Sequence, residues 1–168
     1  MPAERAARLI LVGGVGELYQ GDLDLGRHAA ERLEAIDLGD GVVVEELSYG
    51  AVAVAQRLED LRPYALVLVA GHARGRIAGA VERREVGPPD LSAKELQAAV
   101  GDAVTGYVTV DLLIEVAAAL GVLPARVVSI EVEPASVQPA ERLTPEAEAG
   151  LEDAIKLVRE EVAALREA

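Results

Sequence analysis

No cysteine occurs anywhere in the 168 residues. That excludes a disulfide framework, a thiolate nucleophile and a zinc–thiolate centre. Phenylalanine and tryptophan are absent too, and aromatics make up 2% of the chain, all of them tyrosine. Ala, Val, Leu and Ile must therefore fill the core of a chain that is 51% hydrophobic. Positive charge is scarce: 16 Lys and Arg stand against 29 Asp and Glu, a formal net charge of −13. A nucleic-acid binder needs the opposite balance, because phosphate contacts come from Lys and Arg. An acidic surface favours solubility and basic partners. The first residues lack the apolar h-region of a signal peptide, and no run approaches the ~20 apolar residues that span a bilayer. The reading is of a cytoplasmic protein that binds neither nucleic acid nor membrane. Residues 1–168 are about one domain's worth, and no linker, repeat or low-complexity tract divides them. Nothing in the sequence fixes an oligomeric state.

What is present alternates. Short Val/Leu/Ile runs at 9–12, 42–47, 66–70 and 126–132 read as buried strands. Between them, Leu25, Ala29, Leu33 and Ile36 recur at helical spacing, as do Val54, Leu58 and Leu61, and then Val110, Ile114, Ala117 and Gly121. Leu151, Ile155, Val158, Val162 and Leu165 form the clearest amphipathic stripe, and Thr144-Pro145 supplies its N-cap and first-turn proline. Residues 78–86 read as a polar extra strand at a sheet edge. Residues 90–100 read as a short helix capped by Ser92 or Asp90. The pattern predicts an α/β fold, a three-layer α/β/α sandwich around a mostly parallel five-stranded sheet with one antiparallel edge strand.

The first strand reads as stopping at Gly13, with a glycine-rich loop and an acidic step following it. Gly14-Val15-Gly16 begins like a dinucleotide fingerprint, but Tyr19 stands where the third glycine belongs. The helix also starts about five residues too late to present its N-terminus to a pyrophosphate. Asp22 and Asp24 would repel phosphate further. Glu46, at the end of the second strand, is placed like a ribose-binding acid and keeps a nucleotide- or metabolite-binding domain as one alternative. No Gly-Lys-Ser/Thr follows the glycines, which excludes a Walker loop, and no serine has a Gly-x-Ser-x-Gly context.

The run Gly14-Val15-Gly16-Glu17-Leu18-Tyr19-Gln20-Gly21-Asp22-Leu23-Asp24-Leu25-Gly26 resembles the opening of the nickel–iron hydrogenase maturation endopeptidases, Gly-x-Gly-Asn-x-Leu-x-Gly-Asp-(Asp/Glu)-Gly-x-Gly. Pro134-Ala135-Ser136-Val137-Gln138-Pro139, three residues, then Leu143-Thr144-Pro145 is similar to that family's Pro-Glu-Ser-Leu-Glu-Pro and Leu-(Ser/Thr)-Pro before its last helix. Neither match needs a gap, and segment order and total length also agree. The resemblance implies removal of a C-terminal peptide from a hydrogenase large-subunit precursor once nickel is in place. It also implies three residues that engage the nickel: an acid after the first loop's Asp, an Asp ending the third strand, and a His before the fourth main helix.

Carried onto this chain, those positions fall on Leu23, Gly71 and Gly106. The family's Asn becomes Glu17, and the Asp of its turn after the second strand becomes Ser48. Leu and Gly offer a metal no side-chain lone pair. A rearranged site of Asp22, Asp24 and His72 is the chemically sensible alternative, since carboxylate and imidazole bind divalent ions. Each of these residues also has a plain reading: Asp22 as a helix N-cap, Asp24 favoured by the helix dipole, His72 in a surface loop beside Arg74 and Arg76. Arg74 and Arg76 with Arg83 and Arg84 are the one basic concentration, either a grip for an acidic peptide or solvated loop charge. Glu17, Tyr19, Tyr49 and Tyr107 are candidates to line a peptide-binding cleft at the carboxyl edge of the sheet, because Tyr offers apolar area with a polar tip. The sequence therefore reads as a catalytically degenerate relative of the endopeptidase that binds a NiFe hydrogenase large subunit, or its C-terminal tail, without cutting it. No cofactor is expected. Nickel enters only if Asp22, Asp24 and His72 make an active, relocated site.

Overall fold

A computed structural model describes residues 8–87, 92–103 and 109–168. Its elements run β1 (Ile10–Val15), α1 (Leu25–Glu34), β2 (Val42–Glu46), α2 (Ala51–Leu61), β3 (Ala65–Gly71), β4 (Val81–Val86), α3 (Ala93–Ala103), α4 (Val110–Ala119), β5 (Arg126–Val132) and α5 (Pro145–Glu167). The sheet order is β2-β1-β3-β5-β4, parallel except that β4 runs antiparallel to β5. This is the predicted five-stranded α/β sheet with a polar antiparallel edge.

Strand alternation divides the core in two. Ile10, Val12, Val67, Val69, Val128 and Ile130 face α1 and α5, where they meet Leu25, Leu33, Leu151 and Val158. Leu11, Val15, Leu66 and Leu68 face the other way, onto Val54 and Leu58 of α2 and Leu113 of α4. The central strands are buried on both faces, so they are continuously apolar rather than alternating. α3 packs on α4 and α2. Every one of these layers is aliphatic, as the lack of Phe and Trp requires.

Two boundaries differ from the sequence reading. β1 continues through Gly13 and Gly14 to Val15, because both glycines pair with β2 and β3. At Gly14 a Cβ would overlap the Gly26 carbonyl, so this strand–helix pair packs backbone to backbone. The edge strand begins at Val81 rather than 78; Gly79 there turns at φ 82°. The helix expected over 90–100 is α3, and residues 90 and 91 lie outside the described residues. Among the described residues, no helix is long and apolar enough to cross a membrane.

The chain passes from β1 outward to β2 and then returns to the opposite side of β1 as β3. The carboxyl ends of β1 and β3 therefore border the point where strand order reverses, the place where open α/β sheets form a crevice.

Candidate functional site

A cavity of about 190 Å³ opens at that crevice. Val15, Gly16 and Glu17 line it from the end of β1, Leu23 from the following turn, Ala70, Gly71, His72 and Ala73 from the end of β3, and Thr109 and Val110 from the start of α4. Leu23 and Gly71, two of the three positions onto which the resemblance carries nickel-engaging residues, thus line one cleft. The third, Gly106, lies outside the described residues, as does Tyr107.

The loop between β1 and α1 is held from several sides. The Gly16 N–H donates to Ser48 Oγ (3.0 Å), and the Glu17 N–H donates to the Leu23 carbonyl (3.0 Å). A single 3₁₀ turn, Gly21–Asp24, then leads into α1. Asp22 does not cap that turn or α1, contrary to the sequence reading. Its buried carboxylate reaches across to residues 134–144. Oδ2 accepts from the Ala135 N–H (2.8 Å), the Ser136 N–H (3.1 Å) and Thr144 Oγ1 (2.7 Å), while Oδ1 accepts from the Thr144 N–H (2.9 Å). Burial pushes this carboxyl up, but the hydrogen bonds from Thr144, Ala135 and Ser136 prevail and hold it below the ordinary value. The Asp22 N–H in turn donates to the Ser136 carbonyl (2.9 Å), and Gln20 Nε2 donates to the Val137 carbonyl (2.7 Å).

Asp24 is also buried. It accepts from Arg27 Nε (3.0 Å) and Nη2 (2.7 Å), and His28 Nε2 lies 3.9 Å away. It sits at the N-cap position of α1, but its side chain makes no capping bond. His72 does reach the cleft, with Nε2 3.6 Å from Asp111 Oδ2 and its N–H donating to the Val132 carbonyl (3.0 Å). His72 beside it, together with Arg74, holds the Asp111 carboxyl well below the usual range against the effect of burial. Asp22, Asp24 and His72 are therefore not assembled into one site: Asp22 joins two loops, Asp24 joins Arg27, and His72 faces the cleft. Among the described residues no three His, Cys, Asp or Glu side chains gather as a metal centre would require. Among the described residues, the cleft brings together one carboxylate residue, Glu17, and one imidazole, His72, between aliphatic walls. That donor set does not fit a tightly held divalent ion.

Gly71 is fixed by packing. A Cβ there would overlap the backbone carbonyl oxygen of Asp22, so the position has no room for an acid. Glu17 lines the cleft, as the sequence reading expected. Tyr19 and Tyr49 do not line it. Tyr19 adopts φ 62° and turns outward, with the Arg27 guanidinium 5.0 Å from its ring centroid, while Tyr49 is half exposed in the turn after β2.

Sequence reasoning missed a charged cluster behind the cleft. Glu131, in β5, is fully buried and accepts from Arg74 Nε, Arg84 Nε (3.0 Å) and Nη2 (2.8 Å), and Ser129 Oγ (2.7 Å). Burial pushes its carboxyl up, but Arg74, Ser129 and Arg84 outweigh that and hold it down at about 2. Glu133 accepts from the Arg74 N–H (2.9 Å) and the Arg76 N–H (3.0 Å). At Arg74 and Arg84 the basic concentration is only partly exposed, and its charge is met from within by Glu131 and Asp111. The available signal was Ser129, Glu131 and Glu133 alternating on one face of an otherwise apolar strand.

No protein-family model matches the sequence, and no curated protein matches it. Solved structures do. The hydrogenase 2 maturation peptidase of a Thaumarchaeota archaeon superposes with a TM-score of 0.66 at 24% identity, covering 93% of this chain and 99% of that one. The hydrogenase maturating endopeptidase HybD of Escherichia coli gives 0.64 at 24% identity, over 95% and 93%. A second Escherichia coli endopeptidase structure gives 0.64 at 26% identity over the same shares. The resemblance carried by residues 14–26 and 134–145 is matched by the architecture: this chain has the fold of the hydrogenase maturation proteases along nearly its whole length.

Proposed function

We propose that this chain is a hydrogenase maturation protease-like protein that binds the large-subunit precursor of a NiFe hydrogenase, through its C-terminal tail, without cleaving it. One observation carries the reading. The crevice between β1 and β3 is kept, while the two acid positions that face it are Leu23 and a Gly71 pressed against backbone. The walls are then largely aliphatic (Val15, Leu23, Ala70 and Val110), a surface suited to a peptide side chain rather than to an ion. Leu18, Tyr19 and Tyr49, each about half exposed, add apolar area on the loops at the same edge of the sheet. A relocated active site would need Asp22 and Asp24 to leave Thr144 and Arg27. Each would then forfeit charge-assisted hydrogen bonds worth roughly 1.5–3 kcal/mol.

The test is a titration of the ¹⁵N-labelled protein with a peptide of the precursor's C-terminal tail. Shifts should concentrate at residues 16–17, 23, 70–73 and 110, and the peptide should remain intact. An unperturbed spectrum at saturating peptide contradicts binding, and a cleaved peptide contradicts the loss of activity.

A further inference from the structure

Among the described residues, β4 pairs with β5 on one side only, and its other edge ends the sheet. Its sequence, Val81-Glu82-Arg83-Arg84-Glu85-Val86, reads the same in both directions. We propose that a second copy of this chain pairs with that edge, β4 against β4, to form a twofold dimer with a continuous ten-stranded sheet.

Val81 packs into the α5 side of the core and Arg83 binds Glu161 of α5 through Nε (2.7 Å) and Nη2 (3.0 Å), so Val81, Arg83 and Glu85 share that face. Arg84 and Val86 point to the other face, toward Glu131 and the α4 side of the core. Residues directly opposite in an antiparallel pair lie on the same face. A twofold axis perpendicular to the sheet preserves each face, so a residue can lie opposite only itself or one an even number of positions away. The register that would set Arg83 against Arg84 and Glu82 against Glu85 is thereby excluded. With Arg84 on the axis, Arg83 of each copy lies opposite Glu85 of the other. That gives two cross-strand ion pairs, with Glu82 opposite Val86. The two Arg84 side chains meet at the axis, but each is already drawn onto its own buried Glu131. Setting Arg83 on the axis instead would place Glu82 opposite an Arg84 that is already bound to Glu131, would oppose two Arg83 side chains and would leave the exposed Glu85 against Val81.

Charge favours this surface over others. A net charge of −13 makes most approaches between two copies repulsive. β4 is locally neutral, with two Arg and two Glu. Glu85, its most exposed side chain at 78%, shares Arg83 with Glu161 within one copy and gains a second arginine across the axis. A groove of about 340 Å³ beside Arg83, Glu85, Glu161 and Leu165 leaves room for the incoming guanidinium. Because the two sheets run in opposite directions, the two β1/β3 clefts lie at opposite ends and both stay open. A six-residue edge is small, so the association is in the micromolar range rather than tighter.

The test is sedimentation of the full chain over a rising concentration series, with amide hydrogen exchange at both ends of the series. A monomer–dimer equilibrium is expected, with exchange of residues 81–86 slowed only at high concentration. Glu85→Arg should weaken it roughly tenfold or more by opposing like charges at two sites. A monomer at every concentration up to ~1 mM overturns the proposal. So does a dimer that Glu85→Arg leaves unchanged, or one whose protection falls outside residues 81–86.

Discussion

At Gly71 the close approach of the Asp22 carbonyl leaves no space for any side chain. Sequence alone could align the family's strand-ending acid with this position, but it could not see what fills the space. The consequence is testable. Gly71→Asp, the substitution that would restore the family acid by alignment, should not create a metal site. It should instead displace the first loop and lower stability by about 3 kcal/mol, within the range for overpacking plus an ill-placed charge. Urea unfolding and nickel titration of the variant check both halves. Leu23 differs, because it lines the cleft and is only half buried. His72 is the one residue of the expected Asp22–Asp24–His72 trio that faces the cleft.

Among the elements, the two motifs at opposite ends of the sequence turn out to be one structural unit. Asp22 lies 113 to 122 positions from the donors it binds, at Ala135, Ser136 and Thr144. Thr144 serves two elements at once: its hydroxyl donates to Asp22 and accepts from the Ala147 N–H as the N-cap of α5. Thr144→Ala should therefore cost more than an ordinary cap, about 2 kcal/mol, with Thr144→Ser recovering most of it. Thermal unfolding of both variants reads the difference. The helices and strands were legible because their signals are local: a 4, 3, 4, 3 spacing along α5, uninterrupted aliphatic runs in β1 and β3, a threonine–proline start. The cap at Thr144 was legible for the same reason. Asp22 was misread as a cap because a cap is the local use of an aspartate before a helix, whereas its partners here are distant. The end of β1 was set three residues early because Gly13 and Gly14 look like loop residues, until β2 and β3 are there to pair with them.

Over the whole molecule, buried carboxylates govern the response to acid. Glu131 is held at about 2 against an ordinary 4.5, and Asp22 is held below an ordinary 3.8. Their stabilising contributions are complete above the ordinary values and fade as the pH falls through the lower folded values. Wild-type stability should thus decline between about pH 4.5 and 2. Glu131→Gln should be less stable at neutral pH by an amount of order 3 kcal/mol and should flatten that decline. Chemical denaturation across this pH window measures both. The alternation of Ser129, Glu131 and Glu133 marks a polar face on β5, but its partners were not legible, because Arg74 and Arg84 reach Glu131 from 57 and 47 residues away. The cleft, by contrast, was legible in outline, since a β1–β2–β3 return places any site at the strand ends. What the pattern could not supply was the lining, in which Tyr19 and Tyr49 take no part. We propose that the maturation-protease fold is retained here for binding and not for cutting. The most direct test is intact-mass spectrometry of a nickel-loaded large-subunit precursor after incubation with this protein, alongside native detection of the complex. A complex and a precursor of unchanged mass are expected. A precursor shortened at its C-terminus, with the shortening abolished by His72→Ala, would contradict the proposal.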